Sequence, residues 1–227
     1  MASRPGGLII AIDGVIGAGK SSTARGVAAA LAYRHLDTGA MYRAFALAAM
    51  RRSIEARDSE GVAQLLVQLD LTIDIRDGEQ RVLLDGEDVS DEIRRPEVAR
   101  EVGAFADVTL VRLALIERQR SLGSRGGVVA DGRDAGSVVF PDADLKVRMT
   151  ADLDERARRR YRELIEKGVS TSLEQVAADI RRRDREDEAR DYGARHDPAE
   201  TLELDTTELT VSQQIDGIVS WARQRGA

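Results

Sequence analysis

The chain has 227 residues, enough for one compact domain with an insertion, and its 42% apolar content excludes a disordered or low-complexity polymer. Cysteine is absent and histidine occurs only at 35 and 196, which leaves almost nothing for disulfides, thiolate metal sites, cysteine nucleophiles or a Ser-His triad. A net charge of −6, few aromatics and no apolar run near the ~18 residues of a membrane span set the expectation of a soluble cytoplasmic protein with no nucleic-acid or membrane partner.

In chain order, Leu8 to Ile12 is an apolar run closed by Asp13-Gly14 and reads as a buried strand. A glycine-rich turn and an alanine-rich helix from about Lys20 to Tyr33 follow. His35-Leu36-Asp37 ends a second strand, and Thr38 to Arg52 has helical apolar spacing with Asp37 or Thr38 able to cap it. From about Gln68 to Pro96 the pattern changes. Leu71, Ile73 and Ile75 alternate with polar residues, Asp77-Gly78 signals a turn, and Arg81 to Leu84 starts a return strand, so a small antiparallel insertion is predicted. Val108 to Leu122 predicts a helix, Gly127 to Asp131 a buried strand and Leu145 to Met149 another. An arginine-rich helix from Asp152 to Lys167 and a highly charged one from Ser172 to about Arg190 come next. A strand ending at Glu203-Leu204 and a helix from Val211 to Arg223 close the chain. Strands alternating with helices predict an α/β fold with a mostly parallel sheet covered on both faces.

The stretch Gly14-Val15-Ile16-Gly17-Ala18-Gly19-Lys20-Ser21 fits the phosphate-binding pattern G-x-x-x-x-G-K-[ST], with a strand before it and a helix after. Glycines let successive backbone N–H groups curl around one phosphate, and the helix N-terminus adds its positive dipole end. Lys20 can reach the terminal phosphates and the Ser21 hydroxyl can ligate Mg²⁺. Chance alone gives such a match in about two chains in a thousand of this composition. Of 34 basic residues only three are lysines, and one falls on the required position.

Asparagine does not occur, so the Asn-Lys-x-Asp signature of guanine readers is excluded. A small-molecule kinase needs a second pocket with anion-binding arginines. Arg43 lies about a turn after Asp37-Thr38-Gly39, and Arg133 follows a strand in Asp131-Gly132-Arg133-Asp134, at the carboxyl end where open α/β sheets bind ligands. Asp131 stands where a carboxylate organises Mg²⁺ and its waters. The cluster Arg156, Arg158, Arg159, Arg160 and the run from Arg181 to Asp187 admit two readings: a solvated helix face of i,i+4 ion pairs, or a mobile lid that closes over phosphates. Another small P-loop kinase, for UMP or shikimate, and a nucleotide-dependent switch protein stay open on residues alone.

Nearly end to end, the chain also resembles the bacterial cytidylate (CMP) kinases. The likeness rests on Ile12-Asp13-Gly14 with the phosphate loop, the string Leu36 to Arg43, Gly86 to Ser90 before Ile93-Arg94, the string Asp131 to Pro141, Glu155 to Tyr161, and Arg183-Asp184 with Asp187 and Arg190. The resemblance implies a P-loop nucleoside monophosphate kinase fold with a lid and a monophosphate-binding insertion. The expected division is a core of 1–67, 97–151 and 193–227, an insertion near 68–96 and a lid near 152–192. It further implies that Gly14 to Ser22, including Ser22 itself, hold ATP, and that Arg159 and Arg160 are lid residues near its phosphates. Thr38, Tyr42, Arg43, Arg112, Arg133, Asp134, Arg183, Asp187 and Arg190 would line the CMP pocket, with Asp134 accepting from the cytosine amine and Arg112 donating to N3. Lys20, Arg133, Arg159 and Arg160 would then be the catalytic cations. The substrates implied are ATP with CMP or dCMP, the cofactor Mg²⁺, and the expected state a monomer. Val15-Ile16 stands where relatives usually show Pro and a small residue, and Gly103 where a Ser often helps hold the base.

Overall fold

The computed structural model describes residues 4–76, 79–166, 168–189 and 199–227. The predicted turn at Asp77-Gly78, the end of the arginine-rich helix at Lys167, Arg190 and His196 lie outside these residues. The elements in order are β1 (Ile9–Gly14), α1 (Lys20–Leu31), β2 (Arg34–Asp37), α2 (Thr38–Arg51), α3 (Ser59–Gln68), β3 (Leu71–Arg76), β4 (Glu79–Leu84) and β5 (Glu87–Asp88). Then come α4 (Pro96–Ala106), α5 (Thr109–Gly123), β6 (Val128–Asp131), β7 (Leu145–Thr150), α6 (Leu153–Glu166), α7 (Leu173–Ala189), β8 (Thr201–Asp205) and α8 (Val211–Arg223). A single π-helical turn, Ala135–Val139, follows β6. The chain divides into two compact units, Met1–Tyr33 with Gly126–Ala227, and Arg34–Arg125.

In the first unit β6 and β7 flank β1 in parallel, with Ile10 opposite both Val129 and Leu145, and β8 pairs parallel with β7. β1 is buried from Ile9 to Asp13, because a strand covered on both faces has no polar side. Its core is Ile10, Ile12, Val27, Val129, Leu145, Val147, Met149 and Ile218, with the alanines of α1 letting that helix sit close. α1 ends at Leu31 rather than at Tyr33, since Ala32 turns into the left-handed region and its N–H bonds back to Ala28 and Ala29. α6 and α7 pack on each other through Ala157, Val176, Ala177 and Ile180.

The second unit holds the expected antiparallel strands. β3 and β4 pair with Leu71 opposite Leu84 and Ile73 opposite Val82, and β5 adds a short third strand. Their buried residues join a core centred on Phe45 of α2 and Phe105 of α4, whose rings meet edge to face at 5.6 Å. α3 and α4 have no counterpart among the predicted elements. Asp58 accepts from Gly61 N–H to cap α3, and Pro96 opens α4, so both start on ordinary signals. His35, within β2, is buried.

Candidate active site

The phosphate loop joins β1 to α1. Gly14, Gly17 and Gly19 have φ of 142°, 79° and 93°, the region closed to most side chains. At Gly14 a Cβ would also collide with the Met149 carbonyl of the neighbouring strand. α1 starts with no side-chain cap and no acidic residue in its first turn, so its leading N–H groups and dipole face the loop. Val15, Ile16 and Ala18 complete the loop, and Lys20, Ser21 and Ser22 open the helix. Lys20 Nζ donates to the Val15 carbonyl at 2.8 Å. Burial, with Arg133 nearby, lowers its pKa from 10.5 to about 8.

Ser21 Oγ donates to Asp131 Oδ2 at 2.6 Å, joining the first turn of α1 to the end of β6. Two hard oxygen donors suit Mg²⁺, which keeps several waters and takes one or two carboxylates. Among the described residues no group of three or more His, Cys, Asp or Glu could hold a metal by itself. Asp13, one residue before the loop, escaped the sequence reading as a functional group. It is 1% exposed and accepts from the amides of Ala135 and Gly136 at 2.7 and 2.8 Å, fixing the start of the π-helical turn behind Arg133 and Asp134. Burial raises its pKa from 3.8 to about 6 against the lowering effect of those two amides. A charge closing an apolar run was the signal that could have found it.

In the two arginine-rich helices some arginines lie on a solvated, ion-paired face and others do not. Arg158, Arg160 and Arg182 pair with Glu155, Glu163 and Glu186 at helical spacing, as a solvated face should. Arg156 does something else. Its buried guanidinium holds Asp184 of α7 with one nitrogen 3.1 and 2.9 Å from the two carboxylate oxygens, and also reaches the Ile16 and Ala151 carbonyls, strapping α6 and α7 to the phosphate loop. Arg159 donates to the Thr206 and Thr207 carbonyls at 2.6 and 3.1 Å, and fully buried Thr206 lies 3.0 Å from the Ala18 carbonyl. Behind the loop, Thr23 Oγ1 donates to Gln214 Oε1 at 2.6 Å. Nothing in local sequence marks Thr206 or Gln214, because their contacts with the loop and α1 come from residues far along the chain.

Arg133 is paired with Asp187 of α7. Arg183, in the same helix, is half-buried, and burial beside Arg160 and Arg182 holds its guanidinium below the ordinary arginine range. A cation desolvated among cations is a place for an anion. Asp134 is buried at the head of the π-helical turn.

Within the second unit, Thr38, Tyr42 and Arg43 lie in the first two turns of α2, and Arg112 is in the first turn of α5. Asp37 caps α2 by accepting from Ala40 N–H at 2.9 Å, and its other oxygen binds Arg43 Nη2 at 2.7 Å. Arg43 Nε is buried without a hydrogen-bond partner among the described residues. Gly103 is in the α4 stretch Pro96–Ala106.

A family model described as cytidylate kinase matches residues 10–224. The chain is 44% identical over 225 residues to a protein named cytidylate kinase from Citrifermentans bemidjiense, spanning 99% of this chain and 96% of that one. It is 40% identical over 219 residues to a protein of the same name from Bacillus subtilis, spanning 96% and 97%. Among solved structures, an uncharacterized protein from Eubacterium ventriosum matches with a TM-score of 0.54 at 12% identity, covering 95% of this chain and 98% of that one, a likeness of fold alone.

Proposed function

This chain belongs to the cytidylate kinase family, and from that premise we propose that it transfers the γ-phosphoryl group of ATP to CMP or dCMP, giving ADP and CDP or dCDP. The observation that carries the reading is the phosphate loop with its Ser21–Asp131 pair in a chain matched almost end to end by the family. The acceptor is a phosphate already ionised at neutral pH, so no general base is needed, in keeping with a chain almost without histidine. Catalysis then rests on positioning and on neutralising charge over the transferring group. Lys20 reaches the terminal phosphates, and Arg133, Arg159 and Arg160 add positive charge. Ser21 and Asp131 would hold Mg²⁺, which when bound neutralises charge on the β- and γ-phosphates.

On the acceptor side, Arg43 and Arg133 hold the monophosphate. Asp134 accepts from the cytosine amine and Arg112 donates to N3. Thr38, Tyr42, Arg183 and Asp187 complete the acceptor's contacts, with Arg190 assigned from the family pattern alone. The proposal keeps the expected monomer and cytoplasmic location. No helix among the described residues is long and apolar enough to cross a membrane.

A panel of acceptors with ATP and Mg²⁺ tests the reading. CMP and dCMP should be used well, UMP at least ~10²-fold less well in kcat/KM, and shikimate not at all. Equal use of UMP, or ADP formation indifferent to every acceptor, would refute it.

A further inference from the structure

We infer that Asp37, Gly39 and Gln80 are positioning residues that set the guanidinium of Arg43 against the acceptor's phosphate, an inference that rests on the reading of Arg43 given above. One hydrogen bond, one space and one support of the main chain act on that side chain, directly or through Asp37. The Asp37 carboxylate divides its oxygens, one taking the Ala40 N–H and the other Arg43 Nη2. The same carboxylate that starts the helix therefore fixes the arginine borne on its second turn. Gly39 leaves the space in which the guanidinium lies, since a Cβ there would stand 3.2 Å from Arg43 Nη1 and 3.3 Å from Asp37 Oδ1. Gln80 of β4 holds the backbone of Asp37 from the other side, its Oε1 accepting from Asp37 N–H at 2.8 Å and its Nε2 3.4 Å from the Asp37 carbonyl. The small antiparallel sheet thus reaches Arg43 through the main chain of its partner.

What the cradle leaves unsatisfied identifies its ligand. Arg43 is only 26% exposed in its side chain, one terminal nitrogen is committed to Asp37, and Nε is buried with no partner among the described residues. A buried donor on a fixed cation is costly until an acceptor arrives, and an anionic oxygen meets both the charge and the hydrogen bond. Arg94 Nη2, 3.8 Å from the same Asp37 oxygen, keeps the surroundings of that carboxylate cationic, so the pair does not repel a phosphate. The ligand class is a phosphate monoester, whose dianion suits a fork held in advance.

The experiment is steady-state kinetics with CMP and ATP varied separately, together with thermal unfolding, for wild type, Asp37→Asn, Gly39→Ala, Gln80→Ala, Arg43→Ala and the double variant Arg43→Ala/Asp37→Asn. Each cradle variant should raise the KM for CMP, by about tenfold for Asp37→Asn, while the KM for ATP stays within about twofold. Gly39→Ala separates positioning from scaffolding. Alanine is the better helix former, so the midpoint should hold or rise while CMP binding weakens. In the Arg43→Ala background Asp37→Asn should add no further loss for CMP. Unchanged KM for CMP in Asp37→Asn and Gly39→Ala, with Arg43→Ala impaired, would overturn the cradle alone. A full additional loss in the double variant would also overturn it. Normal CMP kinetics in Arg43→Ala would instead overturn the underlying reading of Arg43, and the cradle with it.

Discussion

Lys20 shows how little of a lysine's character is intrinsic. A lysine in water is a hydrated point charge, whereas here burial, the neighbouring Arg133 and the curl of the loop bring its pKa down to about 8 and its amine onto the Val15 carbonyl. Lys20→Ala removes positive charge at the transferring phosphate and little packing. It should lower kcat by on the order of 10³-fold or more with an unchanged circular-dichroism spectrum, and retention of a tenth of the activity would refute its role. Asp134→Ala should narrow the CMP/UMP ratio in kcat/KM chiefly by harming CMP, because only cytosine offers the amine its carboxylate would accept from. An unaltered ratio would assign base reading to other groups. Asp13 carries a prediction about stability. Its folded pKa, about 6, is above the ordinary 3.8, so the native state holds that proton more tightly than the unfolded chain. The contribution is present below about pH 4 and is lost as pH rises through 6, on the order of 2–3 kcal/mol. The difference in unfolding free energy between wild type and Asp13→Asn should therefore fall over that interval, and a flat difference would contradict it.

Helices α6 and α7 would be poor elements in isolation. Both are strongly polar, their shared apolar contact is small, and ion pairs at helical spacing contribute only a few tenths of a kcal/mol each. Arg156 makes them a unit by reaching across to Asp184 and down to the Ile16 carbonyl. Arg156→Ala would leave Asp184 partly buried without its cation, a loss of about 3 kcal/mol by comparison with other buried pairs whose partner is removed. Hydrogen exchange should locate that loss, with amides of α7 losing protection and those of α4 and α5 unchanged. Uniform loss across all helices would show that Arg156 supports the whole fold instead.

For the whole molecule, the chain's division matters to how the reaction would be controlled. The phosphate loop, the Ser21–Asp131 pair and the charged helices belong to one unit, and Arg43 with Asp37, Gly39 and Gln80 belongs to the other. A kinase that takes a phosphate acceptor must keep water from substituting for it. ADP formation from ATP and Mg²⁺ without an acceptor should run at about a hundredth of the rate with CMP or less. A comparable rate without CMP would mean that acceptor binding does not govern turnover.

Sequence by itself determined the phosphate loop, the alternation of strands and helices, the antiparallel strands after Leu71 and the family. Each is encoded locally or in a contiguous string: glycine spacing answers to φ, and apolar period answers to which faces are covered. Gly14 could be read because one demand on it, its positive φ, lies in its own backbone, whereas the close approach of Met149 could not. Asp13, Thr206, Gln214 and Gln80 could not be assigned their work, because each satisfies a polar group dozens of positions or more away, and nothing in the intervening residues records the distance. The arginines make the same point most plainly. Arg156, Arg158, Arg159 and Arg160 are one charge cluster in sequence, yet only tertiary packing decides that Arg158 pairs within its own helix while Arg156 is buried as a strap. A charged side chain's role depends on which groups share its desolvated surroundings, and those surroundings exist only once the chain has folded.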